Sequence, residues 1–327
     1  MLGATVFCYL FYYTGRQNFG WAVKGISDEL DLSKQQIGWL SAAMLISYGI
    51  GQALFGNLGD KFGARKLMTI GALLSCALNW VTSLGNSFQS LLVPWMANGL
   101  AQSMGWAPGS RLLSNWWEHT ARGRVFGMYV FAAGFSSALT YGLSILVLTY
   151  LSWRWVFRLP VLLLAVGGII FYVFARDRPE DLGYEPLNDE PPEQEEPHET
   201  PLESSWERYR YVLSNRRFLL ACLAIGFESW ARYGLLVWMP VHYLGQGLKE
   251  DPQHVWVALS LPVGMALGAM TVGQISDRLF QSNRSRPIAL FLGVAAAVTL
   301  AMYFVPTESP ALGIVLLFLA GFFVYGP

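Results

Sequence analysis

Long apolar stretches separated by short polar loops dominate this chain. About 20 apolar residues cross a bilayer core as a helix, and runs of that size fall near 2–23, 36–57, 67–85, 89–110, 123–148, 155–175, 217–244, 254–274, 287–306 and 310–327. The pattern predicts ten membrane helices. One interruption differs from the others. Residues 176–213 hold twelve of the 22 acids, with the run Glu-Pro-Pro-Glu-Gln-Glu-Glu-Pro at 190–197. A segment of that composition cannot bury a core, so it reads as a disordered polar tether. The expected organisation is a six-helix bundle over 1–175, an acidic Pro-rich linker over 176–213, and helices seven to ten of a second bundle over 214–327.

Composition agrees with the pattern. Hydrophobic residues make up 54% of the chain and charged residues 13%, against roughly 25% charged in a soluble domain. Net charge is zero, which argues against a nucleic-acid partner. The first apolar run lacks a basic leading region and a small-residue cleavage site, so it does not read as a signal peptide. Cys8, Cys76 and Cys222 all lie in apolar runs without metal or disulfide spacing, as buried small hydrophobes do. Basic residues then set the orientation. Lys61, Arg65 and Lys66, Arg111, Arg122 and Arg124, the six arginines from Arg176 to Arg217, and Arg278, Arg284 and Arg286 share one side. Only Lys24, Lys34, Arg154, Arg158 and Lys249 fall on the other. The rich side is expected to be cytoplasmic, together with the N-terminus, in a plasma membrane.

Two arginines belong to neither side. Arg16 sits inside Tyr12-Tyr13-Thr14-Gly15-Arg16-Gln17-Asn18-Phe19, and Arg232 inside Glu228-Ser229-Trp230-Ala231-Arg232-Tyr233-Gly234. A charge at bilayer depth costs a few kcal/mol even on lenient scales, and therefore marks a functional site. The pair is 216 residues apart, Gly56–Lys61 and Gly273–Arg278 are 217 apart, and Trp106–Pro108 and Tyr325–Pro327 are 219 apart. Landmarks at a nearly constant offset indicate two parallel six-helix halves with a site at their interface. On that offset Pro327 corresponds to the middle of helix four, so about two helices of the second half are expected beyond it.

Gly56-Asn-Leu-Gly-Asp60-Lys61-Phe-Gly-Ala-Arg65-Lys66 resembles the helix 2–3 signature of the major facilitator superfamily, with a weaker copy at 273–286. The resemblance implies twelve helices in two bundles and rocker-switch alternating access. It makes Gly56, Asp60, Lys61, Arg65, Asp277 and Arg278 gating residues. A finer resemblance, to the organophosphate:phosphate antiporters, is carried by Tyr12–Phe19, Gly99–Arg111, Trp116-Trp117 with Arg122-Gly123, Arg232-Tyr233-Gly234 and Tyr325–Pro327. It implies that Arg16 and Arg232 grip a phosphate and that Tyr9 and Tyr13 stand beside it. Independently, a guanidinium matches phosphate oxygens with a fork of donors and keeps its charge. Helical spacing puts Tyr9, Tyr13, Arg16 and Gly20 on one face with Tyr12 at its flank. Gln52, Trp106 and Tyr325 complete the candidate site.

Two departures concern the cargo. The glycerol-3-phosphate exchangers carry a helix-two lysine where this chain has Gln52, and a helix-five histidine where it has Ala133. Glu228 is the only acid inside a span and lies four residues before Arg232, the spacing of a same-face ion pair. It reads either as a structural counter-ion or as a proton-coupling group. No nucleophile–base pair, P-loop or carboxylate dyad is present, so neither an enzyme nor a cofactor is expected. The expected activity is exchange of a small anionic phosphorylated metabolite for inorganic phosphate by a monomer in a lipid bilayer. The alternatives are a proton-coupled symporter of another organic anion, such as a sugar acid, and a non-transporting sugar-phosphate sensor.

Overall fold

The computed structural model describes residues 1–185, 205–244, 253–280, 285–304 and 309–325. Every regular element among them is a helix: α1 (Leu2–Tyr12), a 3₁₀ turn (Tyr13–Gly15), α2 (Asn18–Leu30), α3 (Lys34–Phe62), α4 (Ala64–Thr82), α5 (Phe88–Ser103), α6 (Trp106–Trp116) and α7 (His119–Tyr150). After these come α8 (Trp153–Val156), α9 (Pro160–Phe174), a 3₁₀ turn (Pro179–Leu182), α10 (Ser205–Ser214), α11 (Arg216–Leu244), α12 (Gln253–Leu279), α13 (Ser285–Tyr303) and α14 (Pro310–Tyr325). Among the described residues all ten expected crossings are helical, but not all are single helices. Five stretches among the described residues, in α3, α7, α8–α9, α11 and α13, are long and apolar enough to cross a membrane unaided. The first crossing is split into α1 and α2, and the fourth into α5 and α6.

Local chemistry sets several boundaries. Ser33 and Gln36 form a reciprocal capping box at the start of α3, with Ser33 N–H donating to Gln36 Oε1 at 2.9 Å. Such a pair satisfies two of the donors that a helix start leaves unpaired. Ser87 and Ser90 do the same for α5. At the loop end, Arg154 donates to Glu29, to Asn86 and to the Ser83 and Gly85 carbonyls. The Arg154 guanidinium and the Trp153 indole hold the Glu29 carboxyl below the usual carboxylate range. A depressed carboxyl contributes above its unfolded pKa and stops contributing as pH falls through its folded one. This clasp is therefore present at neutral pH and released in acid.

The tether is more ordered at its edges than its composition predicts. Asp177 Oδ1 accepts the Arg65 backbone N–H at 2.9 Å, and the Tyr184 ring meets Trp116 at 6.4 Å. At the other edge α10 runs into 205–214, and its Tyr209 hydroxyl donates to the Ala53 carbonyl. The aromatic residues flanking the acidic centre find partners on the bundle, so only the middle of 176–213 retains the predicted character in sequence. Residues 186–204 lie outside the described residues.

The halves meet at the end of the molecule that carries the sparse loops. Trp21, Tyr141, Ile145, Leu236, Val257, Leu261 and Met265 form one buried cluster drawn from both halves. The Tyr141 hydroxyl donates to the Leu236 carbonyl at 2.7 Å. Backbone approach at this seam is close: a Cβ on Gly20 lies 3.1 Å from Leu236 O, and one on Gly134 lies 2.7 Å from Ala266 Cα. Toward the basic end, α11 presents Leu220, Leu223, Ile225 and Phe227, all exposed. Gly134→Val is therefore a wedge at the closed seam. Overpacking of this kind costs about 1–3 kcal/mol, enough to shift a two-state equilibrium roughly 5- to 150-fold. Alkylation of Ile145→Cys, in a background lacking the native cysteines, is expected to accelerate by at least fivefold when the wedge is added. An unchanged rate removes the seam from the gating element.

Candidate functional site

The site begins with a broken helix. The chain leaves the α-helical path after Tyr12, makes the 3₁₀ turn 13–15, and resumes as α2 at Asn18. Thr14 Oγ1 donates to Phe11 O at 2.6 Å, and the Arg16 and Gln17 amides both donate to Tyr13 O. A break frees carbonyls that a regular helix would pair. Here Gly15 O accepts from Asn79 Nδ2 at 3.0 Å and Asn98 Nδ2 at 2.8 Å. Ser75 donates to Asn98 Oδ1 at 2.6 Å, and Gln102 Nε2 to Ser75 Oγ at 2.7 Å. A Cβ on Gly15 sits 2.6 Å from Gln102 Nε2 and 2.7 Å from Ser75 Oγ. The network's close approach therefore requires glycine there.

The break delivers Arg16 to the seam. Its residue is 7% exposed, yet its guanidinium makes no ion pair among the described residues. It stacks 3.8 Å from the Tyr13 ring centroid and 4.9 Å from that of Tyr48. Aromatic faces are the weak electrostatic partners that leave a cation's donors available. From the other half, Arg232 lies 5.1 Å from both the Tyr233 and Tyr325 rings. The Tyr13 and Tyr325 hydroxyls are 3.3 Å apart. One chain of contacts thus links Arg16, Tyr13, Tyr325 and Arg232 across the two halves. Tyr233 adds a second link, since it also borders a small cavity with Arg16.

Arg232 is not bare. Its Nη1 is 3.4 Å from Glu228 Oε1, and Ser229 Oγ both accepts from Arg232 Nη2 at 3.2 Å and donates to Glu228 Oε2 at 3.1 Å. Oε1 itself has no hydrogen-bond partner among the described residues. The carboxylate is a near but loosely engaged counter-ion.

The structure sorts the remaining expected residues. Tyr9 is buried and packs against Tyr13, Trp106 and Tyr129, with ring centroids 5.9, 5.7 and 4.4 Å away. Trp106 stacks on Tyr129, so it forms a wall one ring behind Tyr13. Tyr12 stacks on Tyr9 with ring centroids 5.5 Å apart but turns its hydroxyl away from the seam. Its hydroxyl donates to Met68 O at 2.6 Å inside the first bundle, the direction given by its flank position on α1. The single face expected for Tyr9, Tyr13, Arg16 and Gly20 ends at the same break. On α3, the ring beside Arg16 belongs to Tyr48, one turn before the expected Gln52.

Of the expected gating residues, Gly56 packs against Ala107 of α6. Lys61 borders a polar cavity of about 330 Å³ with Arg111, Asn115, Asp177 and Arg178. Arg65 faces its own bundle rather than the other half. Its Nε donates to Tyr172 O at 2.7 Å and its guanidinium lies 4.3 Å from the Tyr172 ring. The reason is that α9 ends beside the start of α4, within reach of a long side chain. The side chains of Asp60, Asp277 and Arg278, and residues 326–327, lie outside the described residues. Sequence reasoning missed Tyr48, Tyr233, Asn79 and Asn98. The asparagines carried a usable signal, being amides inside apolar runs.

Two helical bundles joined at a cationic, aromatic cleft define a multi-pass membrane transporter. The sequence profile of the Major Facilitator Superfamily matches residues 5–327, and the chain belongs to that family. It is 27% identical over 332 residues to the glycerol-3-phosphate transporter of Bacillus subtilis (strain 168), an alignment covering 98% of this chain and 74% of that protein. It is also 27% identical over 326 residues to the membrane sensor protein UhpC of Escherichia coli (strain K12), covering 97% and 73%. Among solved structures, the inward-facing, unoccupied form of a bacterial homologue of the human lysosomal transporter Spinster shares the fold. Its TM-score is 0.74 at 16% identity, over 99% of this chain and 73% of that one. These relationships are to transporters and a sensor, not to enzymes.

Proposed function

We propose that this protein exchanges a small phosphorylated metabolite, of the glycerol phosphate or sugar phosphate type, for inorganic phosphate. The observation that carries this reading is the contact chain Arg16–Tyr13–Tyr325–Arg232 across the seam. Each guanidinium offers forked donors suited to phosphate oxygens, and the tyrosine hydroxyls add donors of their own. Similarity to a glycerol-3-phosphate transporter supports the choice of cargo.

The mechanism follows from charge. Two cations facing one cleft of low dielectric repel, and a bound dianion converts that repulsion into attraction to a common centre. Loading draws the halves together, while the empty site resists closure, so reorientation is coupled to an occupied site and transport becomes exchange. With the basic loops on the cytoplasmic side, the closed seam at Trp21, Tyr141 and Leu236 faces outward and the site opens inward. The test is counterflow. Proteoliposomes loaded with labelled phosphate are expected to release it when unlabelled phosphate or a phosphorylated metabolite is added outside. Uptake driven by a pH gradient with no exchange overturns this reading in favour of proton symport.

Glu228 separates those two outcomes further. A carboxylate 3.4 Å from Arg232 without hydrogen-bond geometry competes with an incoming anion by about 1 kcal/mol, or roughly fivefold. Glu228→Gln is therefore expected to lower the KM for phosphate severalfold and to leave exchange intact. Loss of uptake and of its pH dependence in that variant identifies a proton-coupling group instead.

A second reading, a sensor that binds sugar phosphate without carrying it, is favoured by the similarity to UhpC. It predicts ligand-dependent thermal stabilisation with no counterflow.

A further inference from the structure

Gln17 follows Arg16 directly, at the point where the broken first crossing resumes as a helix. It is 7% exposed, and both ends of its amide, Nε2 and Oε1, lack a hydrogen-bond partner among the described residues. It lines a cavity of about 30 Å³ with Arg16, Ser41, Trp95, Tyr233 and Leu236. Three of these carry further buried atoms without partners: Arg16 Nε, Ser41 Oγ and Trp95 Nε1. The great majority of buried polar side-chain atoms in proteins are paired. Several orphans around one small space therefore describe the group that space accepts.

The inventory is specific. Trp95 Nε1 and Arg16 Nε only donate, Gln17 Nε2 donates, Gln17 Oε1 only accepts, and Ser41 Oγ does either. A partner must accept and also donate: a methyl group does neither, and a bare anion takes the donors but leaves Gln17 Oε1 unpaired. No acid among the described residues lines the cavity, so an ammonium group gains nothing. The volume admits one or two non-hydrogen atoms, since a water needs about 10–15 Å³. A hydroxyl meets each condition. Because Arg16 borders the same space, that hydroxyl sits on the molecule whose anionic end the arginine holds.

We propose that Gln17, Ser41 and Trp95 form a subsite for one uncharged hydroxyl on the organic part of the cargo. This rests on the organophosphate reading and adds a basis for selectivity. Inorganic phosphate, with no arm beyond its anionic centre, leaves the subsite unused, so the two exchange partners differ in what they contact beyond the arginines.

The test compares wild type, Gln17→Leu and Ser41→Ala in reconstituted vesicles. Labelled phosphate self-exchange is inhibited with glycerol phosphate and hexose 6-phosphates, each paired with an analogue in which hydroxyls are replaced by hydrogen. Wild type is expected to prefer at least one hydroxylated member over its deoxy partner by tenfold or more. Gln17→Leu is expected to reduce that preference to within twofold while the KM for phosphate stays within twofold. Ser41→Ala, a smaller change, is expected to show a partial loss and carries the test if Gln17→Leu does not fold. Thermal stabilisation of purified protein by the same compounds gives a readout that needs no transport. An unchanged hydroxyl-to-deoxy ratio with a lower melting temperature overturns the proposal, because the cavity then holds only a structural water. Equal weakening of phosphate and hydroxylated ligands also overturns it. Polyol-specific stabilisation that Gln17→Leu removes, in a wild type that exchanges no phosphate, upholds the subsite and refutes the organophosphate reading alone.

Discussion

Arg16→Lys is expected to reduce phosphate self-exchange at least a hundredfold while leaving the protein folded. Lysine keeps the charge but presents it as a compact, strongly hydrated point instead of a planar fork. Arg16 is buried and stacked between the Tyr13 and Tyr48 rings, which fix the plane from which its donors emerge. A lysine there loses the second of two parallel hydrogen bonds and the stacked orientation of the first. Hydrogen bonds to a charged partner are worth about 1.5–3 kcal/mol each, so losing one and weakening another corresponds to roughly a hundredfold or more. Arg232→Lys is expected to cost less, about tenfold. Its side chain is 21% exposed and already shares its charge with Glu228 through Ser229, so its starting grip is weaker. Initial rates of labelled phosphate exchange in vesicles decide the matter. Rates within threefold of wild type for both variants would falsify the paired-guanidinium site.

Both arginines were visible in the sequence because lipid makes any charge in an apolar run conspicuous. Tyr325 was visible through the internal repeat, and Tyr13 through its spacing from Arg16. What the sequence concealed was the break at 13–17. A helix places residues on a face only while its period holds. A 3₁₀ turn advances about 120° per residue rather than 100°, so Gln17 lands where an unbroken wheel does not put it. Nothing local announces that turn, because its freed carbonyl is satisfied by Asn79 and Asn98, more than sixty residues away in sequence. Tyr233 lies within the Arg232-Tyr233-Gly234 motif, yet its position beside Arg16 depends on how the two halves meet and has no signal in the sequence. The tether was over-read for a related reason: charge density describes 186–204 in sequence but not its aromatic margins, where Tyr184 and Tyr209 reach the bundle.

That same break sets up the second large effect. Asn98→Leu alone is expected to be tolerated, because Asn79 still donates to Gly15 O at 3.0 Å. Interhelical hydrogen bonds in membrane proteins average only about 0.6 kcal/mol, so a single loss shifts the melting temperature slightly. The double variant Asn79→Leu/Asn98→Leu removes both donors at once. It leaves a carbonyl of the broken segment unsatisfied inside the bundle and also strips partners from Ser75 and Asn18. An unsatisfied buried group costs about 1–3 kcal/mol, more than the single loss, and the residues share one network, so the effects do not add. The carbonyl regains a partner only if the turn straightens toward a regular helix, which rotates Arg16 off the Tyr13 ring. Phosphate exchange in the double variant is therefore expected to fall at least thirtyfold, with a KM that rises more than the maximal rate falls. The single variants should stay within threefold. If the double variant matches the product of the singles, the two amides do not position Arg16 through the break, and the turn is held by its own Thr14 and Tyr13 contacts.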